Sequence, residues 1–452
     1  MTNLDKPISI HIEQQLGKLP APLRDPLKQQ LDNFFATFAI NDIPADLADD
    51  IVNVWACSEF VSRWCQRVPE QFSQLIQSGD LLRRYEASTY TDKLREALQE
   101  TTDQQTLKQI LRLQRQREMV RIAWRDISGR ADLQEVLADL SNLADACIQQ
   151  TLTKLHNNLT EEMGQPVNAT GEPQSLIIIA LGKLGGQELN FSSDIDLMFV
   201  YPEEGETTGV PRTRTNSEFF IRLGQQFINA LDENTAEGFV FRVDMRLRPF
   251  GQSGALAMNF DSLEHYYQTH GREWERYALV KARLLTGDDA AKQQLRDILR
   301  PFIFRRYLDF NVYESLRKMK QMIVMEVQRK NINHNVKLGA GGIREIEFIS
   351  QTVQLIRGGR EPALQNPHLL PTLDQLTQLQ HLPDHVPREL KQAYIFLRNT
   401  EHRIQEYADQ QTHNLPDDPI AQSRLAFSNI VFGLPSYFPK SSSSNNGSCK
   451  KL

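Results

Sequence analysis

The stretch LNFSSDIDLMFVY, residues 189–201, sets the tightest constraint on the fold. Asp194 and Asp196 stand one residue apart inside an otherwise apolar run, and burying unpaired carboxylates is costly. A β-strand resolves the conflict, because its side chains alternate between faces with period two. Asp194, Asp196 and Met198 then face one way, and Ile195, Leu197, Phe199 and Tyr201 the other. The apolar set can fill a core while both carboxylates line a cleft. Like charges that close repel each other unless a cation intervenes. A hard divalent cation prefers such oxygens, and Mg²⁺ in particular is held by one or two carboxylates plus substrate phosphates.

Two neighbouring stretches extend this pattern. In FVFRVDMRLRP a third strand is predicted, with Phe241, Val243, Met245 and Leu247 on one face and Arg242, Asp244, Arg246 and Arg248 on the other. Beside the first strand, Asp244 becomes a third carboxylate, flanked by Arg246 and Arg248, which suit a phosphate chain. The turn in ALGKLGGQEL precedes the acids by about ten residues. Gly182, Gly185 and Gly186 let backbone approach a ligand and aim N–H groups at phosphate oxygens, and Lys183 adds a charge. Taken singly, each stretch reads as a solvated turn, a salt-bridged exposed strand or a tight turn. Their order along the chain, Gly turn, DxD strand, helix, Asp strand, points to a metal-dependent phosphate site.

The surroundings place this insert between helical flanks. Residues 1 to about 170 read as helical, with long runs free of Gly and Pro, until NATGEPQ breaks the pattern. SLIIIALG is a continuous apolar run, as expected of a central strand buried on both faces. NSEFFIRLGQQFINAL is a helix capped by Asn216 or Ser217. We therefore expect an α+β protein with a small mixed sheet. The expected divisions are an N-terminal helical region at 1–110, a catalytic domain at 111–288, a helical bundle at 289–425 and an irregular, disordered tail at 426–452.

Charge and cysteine content narrow the function. A net charge of −6 argues against nucleic acid as the main partner. The four cysteines, Cys57, Cys65, Cys147 and Cys449, form no CxxC pair or metal spacing, as expected of reduced thiols in the cytoplasm. The N-terminus has no signal-peptide pattern, and no apolar run approaches a membrane span. Lys281 reads equally as a surface lysine or a phosphate contact. Arg344 and Glu347 are spaced for an i,i+3 pair. Arg112, Arg115, Arg117, Arg121 and Arg125 read as a solvated helix face, and His265, His270 and His402 show no ligand spacing.

The order of Leu181-Gly182-Lys183, Asp194-Ile195-Asp196 and Asp244 resembles the DNA polymerase β-like nucleotidyltransferase fold, with Lys183 where Ser or Gly is usual. Longer stretches are similar to the bifunctional glutamine synthetase adenylyltransferase/adenylyl-removing enzymes: ALGKLGGQELNFSSDIDLMFVY, FVFRVDMRLRPFGQSGAL, GREWERYALVKARLLTGD, VKLGAGGIREIEFISQTVQLIRGGR and HRIQEYADQQTHNLPDD. The variants ELNFSSDIDL, RVDMRLRPFG and GGIREIEF resemble that family's N-terminal, AMP-removing copy. The resemblance implies phosphorolysis of an adenylylated tyrosine on glutamine synthetase, with phosphate attacking AMP and ADP leaving. It implies Mg²⁺ on Asp194, Asp196 and Asp244, phosphate contacts from the 182–186 turn, Ser193, Arg246 and Arg248, and regulation by the PII signal protein. After RLA the pattern is lost, so the second, adenylylating copy is expected to be absent. The residues alone leave the direction open: addition of AMP from ATP, or a silent module that binds PII or glutamine synthetase, would carry similar motifs.

Overall fold

The structure, a computed structural model, describes residues 8–38, 43–101, 103–306, 310–330 and 334–431. Strand β1 (Gln165–Pro166) pairs antiparallel with β4 (Thr207–Thr208) in a small ribbon. The main sheet holds β2 (Ile177–Ala180), β3 (Ile195–Tyr201), β5 (Val243–Asp244), β6 (Ala257–Asn259) and β7 (Arg283–Leu284). Strand β2 is central and runs antiparallel to both β3 and β7. Strands β5 and β6 run parallel to β3, β5 beside its first residues and β6 beside its last. The sheet is thus mixed, as expected.

Both sheet faces are covered, which explains the unbroken apolar run of β2. Ile178, Ile195, Leu197 and Phe199 enter a core shared with the helices Gln104–Ile127, Leu133–Met163 and Asn216–Asp232. Ile177, Ile179, Met198 and Val200 enter a second core with the helices Phe260–Thr269 and Asp289–Ile303. The alternation read from β3 therefore holds, except that the face carrying the acids is itself covered from Met198 onward. A third cluster, with Ile343, Ile346, Leu373 and Tyr394, knits the C-terminal helices together.

Several elements differ from expectation. The 216–232 helix is capped by Thr215, in a reciprocal capping box with Glu218. The third strand shrinks to Val243–Asp244, because Asp244 accepts from the Arg246 backbone N–H at 2.8 Å and turns the chain away from the sheet. The helix Pro419–Val431 continues through residues expected to be irregular from 426; residues 432–452 lie outside the described ones.

The arginines of the 104–127 helix do not form a solvated face. Arg112, Arg115, Arg121 and Arg125 are buried. Arg121 bonds Asp139 at 2.9 Å and the Asp80 carbonyl at 3.0 Å. Arg125 bonds Glu135 at 2.6 Å, Arg115 bonds Asp409 at 2.6 Å, and Arg112 donates to the Gly238 and Ala230 carbonyls. Arg117, the least buried of the five, reaches Asp80 at 2.7 Å. Each guanidinium finds its acceptors on other segments, which is what permits its burial.

Candidate active site

The three acids lie where β3 and β5 pair. Asp196 and Asp244 are direct register partners, and Asp194 lies one residue before β3 begins. A cleft of about 450 Å³ opens there, lined by Asp194, Asp232, Arg242, Asp244, Arg246 and Gln411. A larger cleft, about 810 Å³, opens between the 59–67 helix and the 234–239 loop, and none of the three acids lines it.

Negative charge is crowded at this point. Burial, then the neighbouring Asp194 and Asp244, push the Asp196 carboxyl up to about 7. Asp244 moves the other way: burial alone would raise it, but its hydrogen bonds from Arg246 hold it below the ordinary carboxylate value. Asp194 accepts from the Gln411 amide at 3.1 Å, and Ser193 Oγ is 3.5 Å from the same oxygen. Asp194 and Asp244 in the cleft, with Asp196 beside Asp244 in the sheet, are carboxylates suited to a hard divalent cation.

The Gly turn lies directly beneath. Gly182 opens a short helix, Gly182–Gly185, with φ +54, and a Cβ there would sit 2.4 Å from Asp196 Oδ2. Glycine is required on both counts. The other two glycines serve packing. Gly185 donates to the Leu181 carbonyl and Gly186 to the Gly182 carbonyl, so neither amide is aimed at a ligand. A Cβ on Gly185 would meet the Lys281 carbonyl at 1.9 Å.

Two expected phosphate contacts, Lys183 and Arg248, and one residue read either way, Lys281, are otherwise engaged. Lys183 is buried and paired with Glu401 at 3.0 Å. Burial lowers its ammonium to about 7, the nearby Arg398 and Lys337 charges adding to the effect, while Glu401 stays well below its ordinary value because Lys183, His413 and Arg398 outweigh its burial. Arg248 donates to the carbonyls of Met245, Gln252 and Gly254, holding the turn that follows β5. Lys281 is neither a surface lysine nor free for phosphate: it lies just past the helix Glu273–Leu279 and pairs with Glu188 at 2.8 Å and Glu347 at 3.1 Å. Glu347 thus pairs with Lys281, which comes from a different segment of the chain.

These pairs dock the C-terminal helices under the site. Glu188 also accepts from the Leu369 amide at 2.6 Å, and its carbonyl accepts from Arg398 at 2.7 Å. The Ser192 amide donates to Gln405 at 2.9 Å. Sequence reasoning missed Asp232, Gln405 and Gln411 as neighbours of the acids. For the last two the available signal was the stretch HRIQEYADQQTHNLPDD, which carries both.

Among the described residues, one group of ligand-type side chains closes to within 4.8 Å, and it lies elsewhere: Asp126, His402 and Glu406, all buried. Arg403 already fills that group, donating to Asp126 at 2.7 Å and Glu406 at 2.5 Å. A cation there would face a resident guanidinium, so the open carboxylate cleft is the better metal candidate.

Sequence comparisons show the family. Residues 48–298, more than half of the chain, match the family model described as glutamate-ammonia ligase adenylyltransferase. The chain belongs to that family. Residues 317–431 match a second model, GlnD PII-uridylyltransferase. Relatives of this adenylyltransferase-family chain include the bifunctional glutamine synthetase adenylyltransferase/adenylyl-removing enzyme of Thioalkalivibrio sulfidiphilus, 51% identical over 91% of this chain and 43% of the relative. The protein of the same description from Nitrosococcus oceani is 49% identical over 92% of this chain and 43% of its own length. That from Pseudomonas putida is 50% identical over 83% and 38% respectively. The chain therefore spans less than half the length of the curated relatives it matches.

Proposed function

We propose that this chain is a nucleotidyltransferase that removes AMP from an adenylylated tyrosine of glutamine synthetase by phosphorolysis, releasing ADP. The observation that carries the reading is the side-by-side placement of Asp196 and Asp244 on adjacent strands, with Asp196 directly against the Cβ-free face of Gly182. The removing direction is taken from the LNFSS sequence before the acids, which resembles the AMP-removing copy of the family.

In this reading Asp194, Asp196 and Asp244 hold Mg²⁺. When bound, the cation neutralises phosphoryl charge and brings the attacking and transferred phosphates together. Gly182 lets the backbone approach the phosphoryl group without displacing Asp196. Arg246, largely exposed and resting on Asp244, adds positive charge for the phosphoryl oxygens from its outer side. Arg248 fixes the turn that presents Arg246. No general base is required, because the attacking phosphate is already an anion, and the phenolate oxygen of tyrosine leaves to be protonated by solvent. PII signal protein and glutamine synthetase are the proposed protein partners, phosphate, ADP and ATP the small ones, and the cytoplasm the proposed location. Among the described residues no helix is long and apolar enough to cross a membrane.

The test is Asp194→Asn with adenylylated glutamine synthetase as substrate. The variant should fold and lose ADP release by about a thousandfold, the equivalent of ~4 kcal/mol of transition-state stabilisation. Activity close to that of the unaltered chain would sink the assignment.

A further inference from the structure

The motif KLGAGGIREIEF plays no part in the chemistry described so far, yet its loop pairs with the segment that follows Gln411, a residue of the cleft wall. Its loop is rigidly built. Asn335 Oδ1 accepts from the amides of Lys337 and Leu338, at 3.1 and 2.8 Å. Gly341 sits at φ +72, and a Cβ on Gly342 would meet the carbonyls of Gly339, Lys337 and Val336 within 2.9 Å. The loop is tied to the segment that touches Asp194. The Val336 amide donates to the His413 carbonyl at 2.8 Å, the Leu415 amide to the His334 carbonyl at 2.9 Å, and Asn335 bridges Asn414. Two residues before His413, Gln411 donates to Asp194.

Lys337 rides on this loop, half-buried. The segment its loop pairs with carries Gln411, which lines the cleft beside Asp194 and Asp244, and the Lys337 charge is close enough to Lys183, the residue after Gly182, to help push that ammonium down. The other cations around the cleft are engaged by protein: Lys183 by Glu401, Lys281 by Glu188 and Glu347, Arg246 by Asp244, Arg248 by carbonyls, and Arg242 by the Ser192 carbonyl. Among the described residues no acceptor holds the Lys337 ammonium. A half-buried cation with no acceptor among the described residues, on a loop tied to the segment that reaches Asp194, is suited to an anion that enters with the reaction.

We propose that Lys337 binds the attacking inorganic phosphate, so that the 335–342 loop and the 411–415 segment form the second wall of the active site. This rests on the phosphorolytic reading and deepens it. The strand side, with Arg246 and the three acids, takes the phosphate of AMP. The loop side takes the phosphate that becomes the β-phosphate of ADP. One P–O bond forms, from the attacking phosphate oxygen to the AMP phosphorus. One breaks, to the tyrosine oxygen, and Lys337 keeps its proton throughout.

The experiment is isothermal titration of inorganic phosphate, ADP and AMP, each with Mg²⁺, into the unaltered chain, Lys337→Gln and Lys337→Arg. A lost charge-assisted hydrogen bond should weaken inorganic phosphate and ADP by about 10- to 100-fold in Lys337→Gln and leave AMP unchanged. Lys337→Arg should stay within a few-fold of the unaltered chain, which a merely structural role would not give. Since the ammonium has no protein acceptor among the described residues, neither substitution removes a described contact; a thermal melt checks folding. Lys337→Gln binding phosphate and ADP normally would overturn the inference while leaving the phosphorolytic reading intact. Equal weakening of AMP and ADP would also overturn it, by moving Lys337 to the transferred phosphate. Failure of the unaltered chain to bind phosphate would overturn both.

Discussion

Gly182→Ala is a small change that the structure predicts to be far more damaging to activity than to folding. Two costs arise at the same atom. The position has φ +54, in the left-handed region, where a Cβ costs about 1–2 kcal/mol. The added carbon would also lie 2.4 Å from Asp196 Oδ2, where ordinary contact begins near 3.4 Å. The carboxylate must retreat by about 1 Å, because the carbon is fixed to the backbone. The strain spreads over a large chain, so the melting temperature should fall by less than about 8 °C. The same 1 Å falls on an oxygen proposed to hold the metal, and misplacement of that size at a reacting centre can cost roughly a hundredfold in rate. The assay is phosphate-dependent ADP release from adenylylated glutamine synthetase, read beside a thermal melt. Loss of activity by about two powers of ten with a modest drop in melting temperature is the expected pair. Normal turnover in a folded Gly182→Ala would refute the claim that the Gly182–Asp196 contact shapes the site. Global unfolding would refute the claim that the cost is local.

Two further outcomes follow from the charge network. Lys281→Met strands Glu188 and Glu347 beneath the Gly turn, and should destabilise the fold by about 3–5 kcal/mol in urea unfolding, as expected when one partner of a buried ion pair is removed; a change under about 1 kcal/mol would show the network to be energetically idle. Asp196 is raised from 3.8 to about 7, so between those values the folded chain holds a proton that the unfolded chain has released. Its contribution to stability therefore falls as pH rises through that window. A cation that replaces the proton should raise the melting temperature more at pH 8 than at pH 6. Thermal melts with and without Mg²⁺ check this, and Asp196→Asn should abolish the pH difference.

The sequence was most informative where local pattern and tertiary role coincide. Period-two alternation placed Ile195, Leu197 and Phe199 in the core and left Asp194 and Asp196 on the opposite face, Asp194 in the cleft and Asp196 beside Asp244. The apolar run of β2 marked a strand covered on both faces. What alternation could not show was the length of the third strand, which the Asp244–Arg246 contact ends after two residues. Charged residues were the least legible. The five arginines of 112–125 look like a solvated face because their acceptors, Asp80, Glu135, Asp139, Asp409 and loop carbonyls, mostly lie far along the chain. Lys183 looks like a phosphate ligand, and Lys281 equally like one or a surface lysine, until Glu401 and Glu347 from the C-terminal helices, with Glu188, engage them. Gln411 carries no chemical signal of its own; only the fold brings it to Asp194, more than two hundred residues earlier. In each case the sequence offers the ionised group, while the partner that decides its role is set by packing.

The central claim is that this cleft transfers AMP from tyrosine to phosphate. The most direct measurement is ADP formation from adenylylated glutamine synthetase with Mg²⁺, with and without inorganic phosphate. The account predicts ADP and unmodified tyrosine in equal amounts, only when phosphate is present, and none from Asp194→Asn. Phosphate-independent release of AMP, or rapid labelling of unmodified glutamine synthetase from ATP with no ADP release, would contradict it.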